Sequence, residues 1–117
     1  MKVFQRYLPT LLLGVIPIIA SAADLSTEQK KELTVFGMKA MGLNVGISDI
    51  KNVLSVPEIE EMISTGLNLN SHLCAQVTDI RPLKVKSTYE VTCVAYRGGS
   101  TKKSYVVDAL KGVAFVP

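Results

Sequence analysis

His72 is the only histidine in the chain, so any Ser-His-Asp or Cys-His mechanism has to run through it. Cys74 stands two residues on, and His72-x-Cys74 puts two metal ligands on one side of an extended strand. A metal site needs further ligands and a free thiolate. The second cysteine, Cys93, competes for that sulfur, because two cysteines in an oxidising compartment usually pair. A Cys74–Cys93 disulfide removes both from metal and nucleophilic chemistry. No Cys-x-x-Cys spacing exists to support redox exchange. Glu58, Glu60 and Glu61 bunch together without a nearby histidine or further carboxylate, which fits a solvated helix start better than a metal site. Gly98-Gly99 lacks a following helix start and is no phosphate loop. Asp108 reads as a turn residue. No catalytic residue, cofactor or metal site is expected.

The redox argument depends on the address. Lys2 and Arg6 precede the apolar run 11–19, and Ala20-Ser21-Ala22 supplies small residues for signal peptidase. The pattern predicts a cleavable signal over residues 1–22, with cleavage after Ala22 or, second, after Ala23. The run is shorter than the roughly 20 apolar residues of a membrane span and contains Pro17. An exported protein, periplasmic or secreted, is expected, with no transmembrane segment after cleavage and no nucleic-acid partner. The remaining residues, 23–117, suffice for one small α+β domain with a modest core. A closed loop of about 20 residues between the cysteines would stabilise it by on the order of 3 kcal/mol.

The whole-chain charge of +3 is inflated by that leader; without Lys2 and Arg6, 11 basic residues face 10 acidic ones. The charge is unevenly placed, with residues 23–79 at −4 and residues 80–117 at +5. The two halves could attract each other inside the fold. Alternatively, the basic half presents a surface to an anionic partner.

Ser26 and Gln29 form a capping box, and Leu33, Phe36, Gly37, Ala40 and Met41 recur at helical spacing, predicting a helix to about Met41 with Gly42 as its C′ residue. This stripe is expected to cover a core; Gly37 with Met38 and Met41 would otherwise mark a close-packed contact surface. Ser48-Asp49 is expected to start a short helical turn through Ile50, Val53 and Leu54. A firmer helix begins at Ser55, with Pro57 in its first turn, Glu58 completing a capping box, and Ile59, Met62 and Ile63 on its apolar face. Gly66 is its natural stop.

Strands are predicted from about His72 to Ile80, interrupted by Arg81-Pro82, from Val85 to Tyr96, from Lys102 to Asp108, and over Val113–Val116. Gly98-Gly99 between apolar β-branched runs is a hairpin signal. Placing Cys74 directly opposite Cys93 would put Val91 on a face with Gln76 and Val77 with Glu90. A bulge near His72 or Arg81-Pro82 must therefore shift the register, or the cysteines are not directly opposed. The expected architecture is α+β: N-terminal helices packed on a three- to four-stranded antiparallel sheet with one disulfide.

Tyr89-Glu90-Val91, Gly98-Gly99 and Tyr105-Val106-Val107-Asp108-Ala109 ahead of Gly112 resemble the end of a PepSY-type domain, over residues 55–117 at most. The resemblance implies a non-catalytic exported domain that binds protein, in some members restraining peptidases. It assigns no functional residue. The function expected is protein binding or envelope assembly, with an envelope or periplasmic protein as partner and Tyr96, Arg97, Lys102, Lys103 and Tyr105 as the contact surface. A small-ligand binder of the periplasm and an enzyme using His72 are the alternatives.

Overall fold

The computed structural model describes residues 24–117; the expected signal segment and its cleavage site lie outside them. Helix α1 (Thr27–Ala40) starts at the expected box. The Gln29 N–H donates to Ser26 Oγ at 3.1 Å, and the Ser26 N–H donates to Gln29 Oε1 at 2.8 Å. Two donors that the helix itself cannot satisfy are thereby paired. Gly42 follows with φ +94°, the left-handed geometry that favours glycine at C′. Helix α2 (Val56–Leu69) opens the same way on Ser55 and Glu58. Hydrogen bonds from the Ser55 backbone and then its hydroxyl hold the Glu58 carboxyl below its ordinary pKa.

α2 does not stop at Gly66 but continues to Leu69. The glycine serves the helix–helix contact instead: a Cβ there would lie 2.7 Å from the Ala40 Cβ of α1. Gly37 is the reciprocal position, where an added Cβ would run into the Met62 side chain. Bare backbone on each helix admits a side chain from the other, which brings the axes close. The contact at Gly37 is thus an internal seam. The connection 42–55 holds only one short 3₁₀ turn, Ile47–Asp49, with Ile50 buried beyond it and Leu54 packed on the core.

The sheet is a four-stranded antiparallel meander in the order β1 (Gln76–Pro82), β2 (Thr88–Val94), β3 (Lys102–Asp108), β4 (Val113–Phe115). With α1 and α2 packed on one face, this is an α+β fold with one disulfide, Cys74–Cys93. Val77 and Ile80 of β1, Tyr89, Val91 and Cys93 of β2, and Tyr105 and Val107 of β3 turn inward. They meet Leu33, Phe36, Ile59, Ile63 and Leu67 from the helices. Burying such side chains contributes about 2 kcal/mol each before the entropy of ordering the chain is counted.

Several strand limits differ from the pattern, among them the ends of β2 at Val94 and of β4 at Phe115. β1 begins at Gln76 rather than His72 and runs through Arg81 and Pro82 instead of breaking there. The Leu83 N–H, not Pro82, donates to the Thr88 carbonyl at 3.0 Å. The proline nitrogen therefore faces the open side of an edge strand, where no donor is required. β2 is shorter than the apolar run, because Val85 and Ser87 form a tight turn ahead of it, with Ser87 at φ 65°.

The two cysteines are not directly opposed, and a bulge is present as well, at neither expected place. It falls between Val77 and Asp79, leaving Thr78 as the extra residue, so that Val77 and Ile80 both point inward. Cys93 lies opposite Val77, not Cys74. Cys74 belongs to the segment ahead of β1, which crosses beneath the sheet: His72 lies against Tyr105 of β3, and Cys74 is bonded to Cys93 of β2. The two cysteine Cα atoms are 5.2 Å apart. Asn68 fixes this crossing by accepting from the Cys74 N–H at 2.9 Å and donating to its carbonyl at 2.7 Å, while the Ser64 hydroxyl donates to the same carbonyl.

Candidate functional site

Of the five residues proposed as a contact surface, Tyr96, Arg97, Lys102 and Lys103 lie exposed at the β2–β3 hairpin. Lys102 pairs with Val94 and Lys103 with Cys93, so the two ammonium groups leave opposite faces of the sheet. Tyr105 does not join them. It is only 3% exposed, and its hydroxyl donates to the Leu73 carbonyl at 2.8 Å. Burial, with a smaller contribution from Tyr96, pushes its phenol above the ordinary value. Tyr105 supports the crossing segment from within the core, because the inward parity of β3 takes it there. The period-two pattern alone does not say which face the helices cover.

A polar cluster that sequence reading missed lies at the other end of β2. Glu32 of α1 is buried, and its two carboxylate oxygens accept from the Tyr89 hydroxyl at 2.7 Å and the Ser87 hydroxyl at 2.9 Å. Burial, then the bond to Glu32 and its charge, push the Tyr89 phenol far upward. That direction keeps the proton on the phenol as a donor, the opposite of what a base or nucleophile needs. Glu32, Ser87 and Tyr89 do not line any of the three main cavities of the described residues. It joins α1 to the start of β2. In sequence, Glu32 is one charged residue among others on a lysine- and glutamate-rich helix.

The His72 ring centroid is 5.0 Å from that of Tyr105, tilted by 55°, and the residue borders a cavity of about 190 Å³. Phe36, Ala40 and Leu67 line that cavity from the helices, and Gly112, Val113 and Ala114 from the sheet. His72 is the only titratable side chain among the residues bordering it. Among the described residues, no three His, Cys, Asp or Glu side chains converge in a metal-binding group.

The cavity abuts an open strand edge. β4 pairs with β3 on one side, and among the described residues no strand pairs with the other. Bonding directions follow from alternation along the ladder. The Ala95 N–H donates to the Thr101 carbonyl, so Thr101, Lys103, Tyr105 and Val107 address β2, while Val106 and Asp108 address β4. Val113 and Phe115 then bond back to β3, and the N–H and C=O of Ala114 face outward. β4 stops after Phe115 for a related reason. Continuing the register would bring Pro117 opposite Ser104, at a position where a donor is required and proline has none. Phe115 is 50% exposed and Val116 70% exposed, with Val113 similarly open. Sequence pattern gives β4 as a strand but not its place in the sheet.

Fold and disulfide together define the class: a two-helix, four-stranded α+β domain whose second helix is pinned to a central strand through the segment that follows it. No protein-family model, curated protein or solved structure matches the chain. No helix among the described residues is long and apolar enough to cross a membrane.

Proposed function

We propose that this chain is an exported, non-catalytic domain that binds a protein partner in the bacterial envelope. The observation that carries this reading is the β4 edge: unpaired among the described residues, apolar over Val113–Val116, and without charge, bulge or proline within the strand. The disulfide supports an oxidising compartment. The PepSY-type resemblance would make a peptidase one class of partner, and the order helix, Tyr89–Val91 strand, glycine turn and Tyr105–Asp108 strand supports it. A small-ligand binder is the second reading, through the His72 cavity. At about 190 Å³ that cavity is smaller than the roughly 300 Å³ at which ordinary ligand sites begin. An enzyme built on His72 would have to find its second catalytic group outside the residues that line the cavity.

The test is a pull-down of tagged protein from its native envelope without reductant, with the eluate identified by mass spectrometry. One stoichiometric protein partner is the expected result, and a peptidase would favour restraint as the role. Bait alone would reject protein binding and turn attention to small ligands.

A further inference from the structure

The geometry points to strand addition at β4: an extended segment of a protein partner, with an apolar residue entering the His72 cavity and acidic residues flanking it. This rests on the protein-binding reading and specifies how the partner is held. A strand laid beside β4 would take its main-chain bonds from Ala114, whose N–H and C=O face outward. Side chains alternate across a strand, so the partner residue beside Ala114 falls on the inner face, where the cavity lies between Ala114, Phe36, Ala40 and Leu67. Main-chain bonds then supply affinity and the pocket supplies selection. On the outer face its neighbours would cover Val113 and Phe115, which are half exposed.

Charge favours an acidic segment. Lys39 and Lys111 stand where β4 begins; the Lys39 ammonium donates to the Leu110 carbonyl at 2.6 Å. Lys102 and Lys103, on opposite faces of β3, lie beyond the end of β4. The carboxylate of Asp108, at the end of β3, already accepts from the Lys111 N–H. A second copy of the chain is the weaker occupant. Antiparallel pairing of two β4 strands about Ala114 would set one alanine beside the other and leave both cavities unfilled.

The experiment selects a phage-displayed library of random peptides of about ten residues on the full-length protein exported by its host and purified without reductant. Expected are peptides sharing one apolar residue with acidic neighbours, which slow amide exchange at Ala114 and Val116. Ala114→Pro removes the outward donor and should weaken their binding roughly tenfold. Ala114→Leu keeps the donor but fills the cavity, and should abolish the preference for the large apolar residue. Circular dichroism of both variants separates loss of binding from loss of fold. Peptides that bind equally well to both folded variants, or that protect only β1, would overturn strand addition here. So would the absence of any enriched sequence, or a dimer dissociated by Ala114→Pro, which would make a second copy the occupant. An envelope partner still captured by folded Ala114→Pro would leave protein binding standing while removing this mode.

Discussion

Along β1 the open edge carries a bulge at Thr78, an ion pair between Arg81 and Glu90, and a proline at its end. These are devices by which natural sheets discourage an added strand. Its neighbour β2 is fastened to the helical layer at both ends, through Cys93 to Cys74 and through Tyr89 to Glu32. Along β4 the strand is three residues long, uncharged and without bulge or proline. Its ties to the helices are the packing of Ala114 and one bond from Lys39 to Leu110. Binding elements are drawn from the less fastened parts of a fold. The contrast therefore separates a side that holds the domain together from a side left open for contact.

The disulfide should carry the largest single effect on that contrast. Replacing Cys74 and Cys93 together by Ser restores chain entropy to the unfolded state and should cost about 3 kcal/mol, read as a lower urea midpoint. The loss should concentrate in the crossing segment and β1, with faster amide exchange at Cys74 to Ile80 and little change at Phe115. Equal loosening of β4 would break the distinction between the two sides.

Next comes the Glu32–Tyr89 tie. Glu32→Leu leaves the buried Tyr89 hydroxyl without its acceptor and should cost about 2 kcal/mol. It also has a pH signature. The folded-state pKa of Tyr89 lies above its ordinary value of 10.0, chiefly through burial and then through Glu32. The folded state thus holds that proton more tightly than the unfolded one. The associated stability is present in full below pH 10.0 and is lost as pH rises beyond it. Urea midpoints measured from neutral pH to strongly alkaline pH should fall at the alkaline end, and fall less in Glu32→Leu. A flat profile in the parent protein would remove Tyr89 as a fastening point.

How much of this was legible in the sequence follows the range of each interaction. Both capping boxes, the Gly42 terminus and the β2–β3 hairpin are set by neighbours in the chain and could be read directly. The pairing of Cys74 with Cys93 followed from redox chemistry. Gly66 misled because a glycine that ends a helix and one that admits a neighbouring Ala40 look alike in one dimension. Pro82 misled because proline breaks only strands paired on its donor side, and β1 is an edge. The open β4 edge, the cavity behind it and the burial of Tyr105 depend on strand order and on which face the helices choose, and local pattern specifies neither. Glu32 was hidden for the same reason: its partners lie 55 and 57 residues away.

On the open side, stability and association should come apart. Phe115→Ser removes only the buried half of the side chain and should cost about 1 kcal/mol of stability. Capture of the envelope partner should nonetheless fall sharply, since the outer flank of the β4 edge loses its largest apolar group. Titration of the pulled-down partner against the parent and the variant checks this. Undiminished capture would move the contact away from β4.

The smallest thermodynamic effect belongs to the guarded edge. Arg81 and Glu90 form an ion pair at side-chain exposures of 52% and 26%, and a pair so open to water contributes only a few tenths of a kcal/mol. Arg81→Ala should therefore barely move the urea midpoint. The value of the residue lies in what it keeps away. Arg81→Val with Pro82→Val removes a charge and supplies a donor on the open side of β1, making that edge resemble β4. The double variant should stay as stable as the parent within about 0.5 kcal/mol but self-associate in light scattering as concentration rises, while the parent does not associate through β1. If it stays as dispersed as the parent, the bulge at Thr78 alone guards the edge, and Arg81 and Pro82 add nothing to the asymmetry.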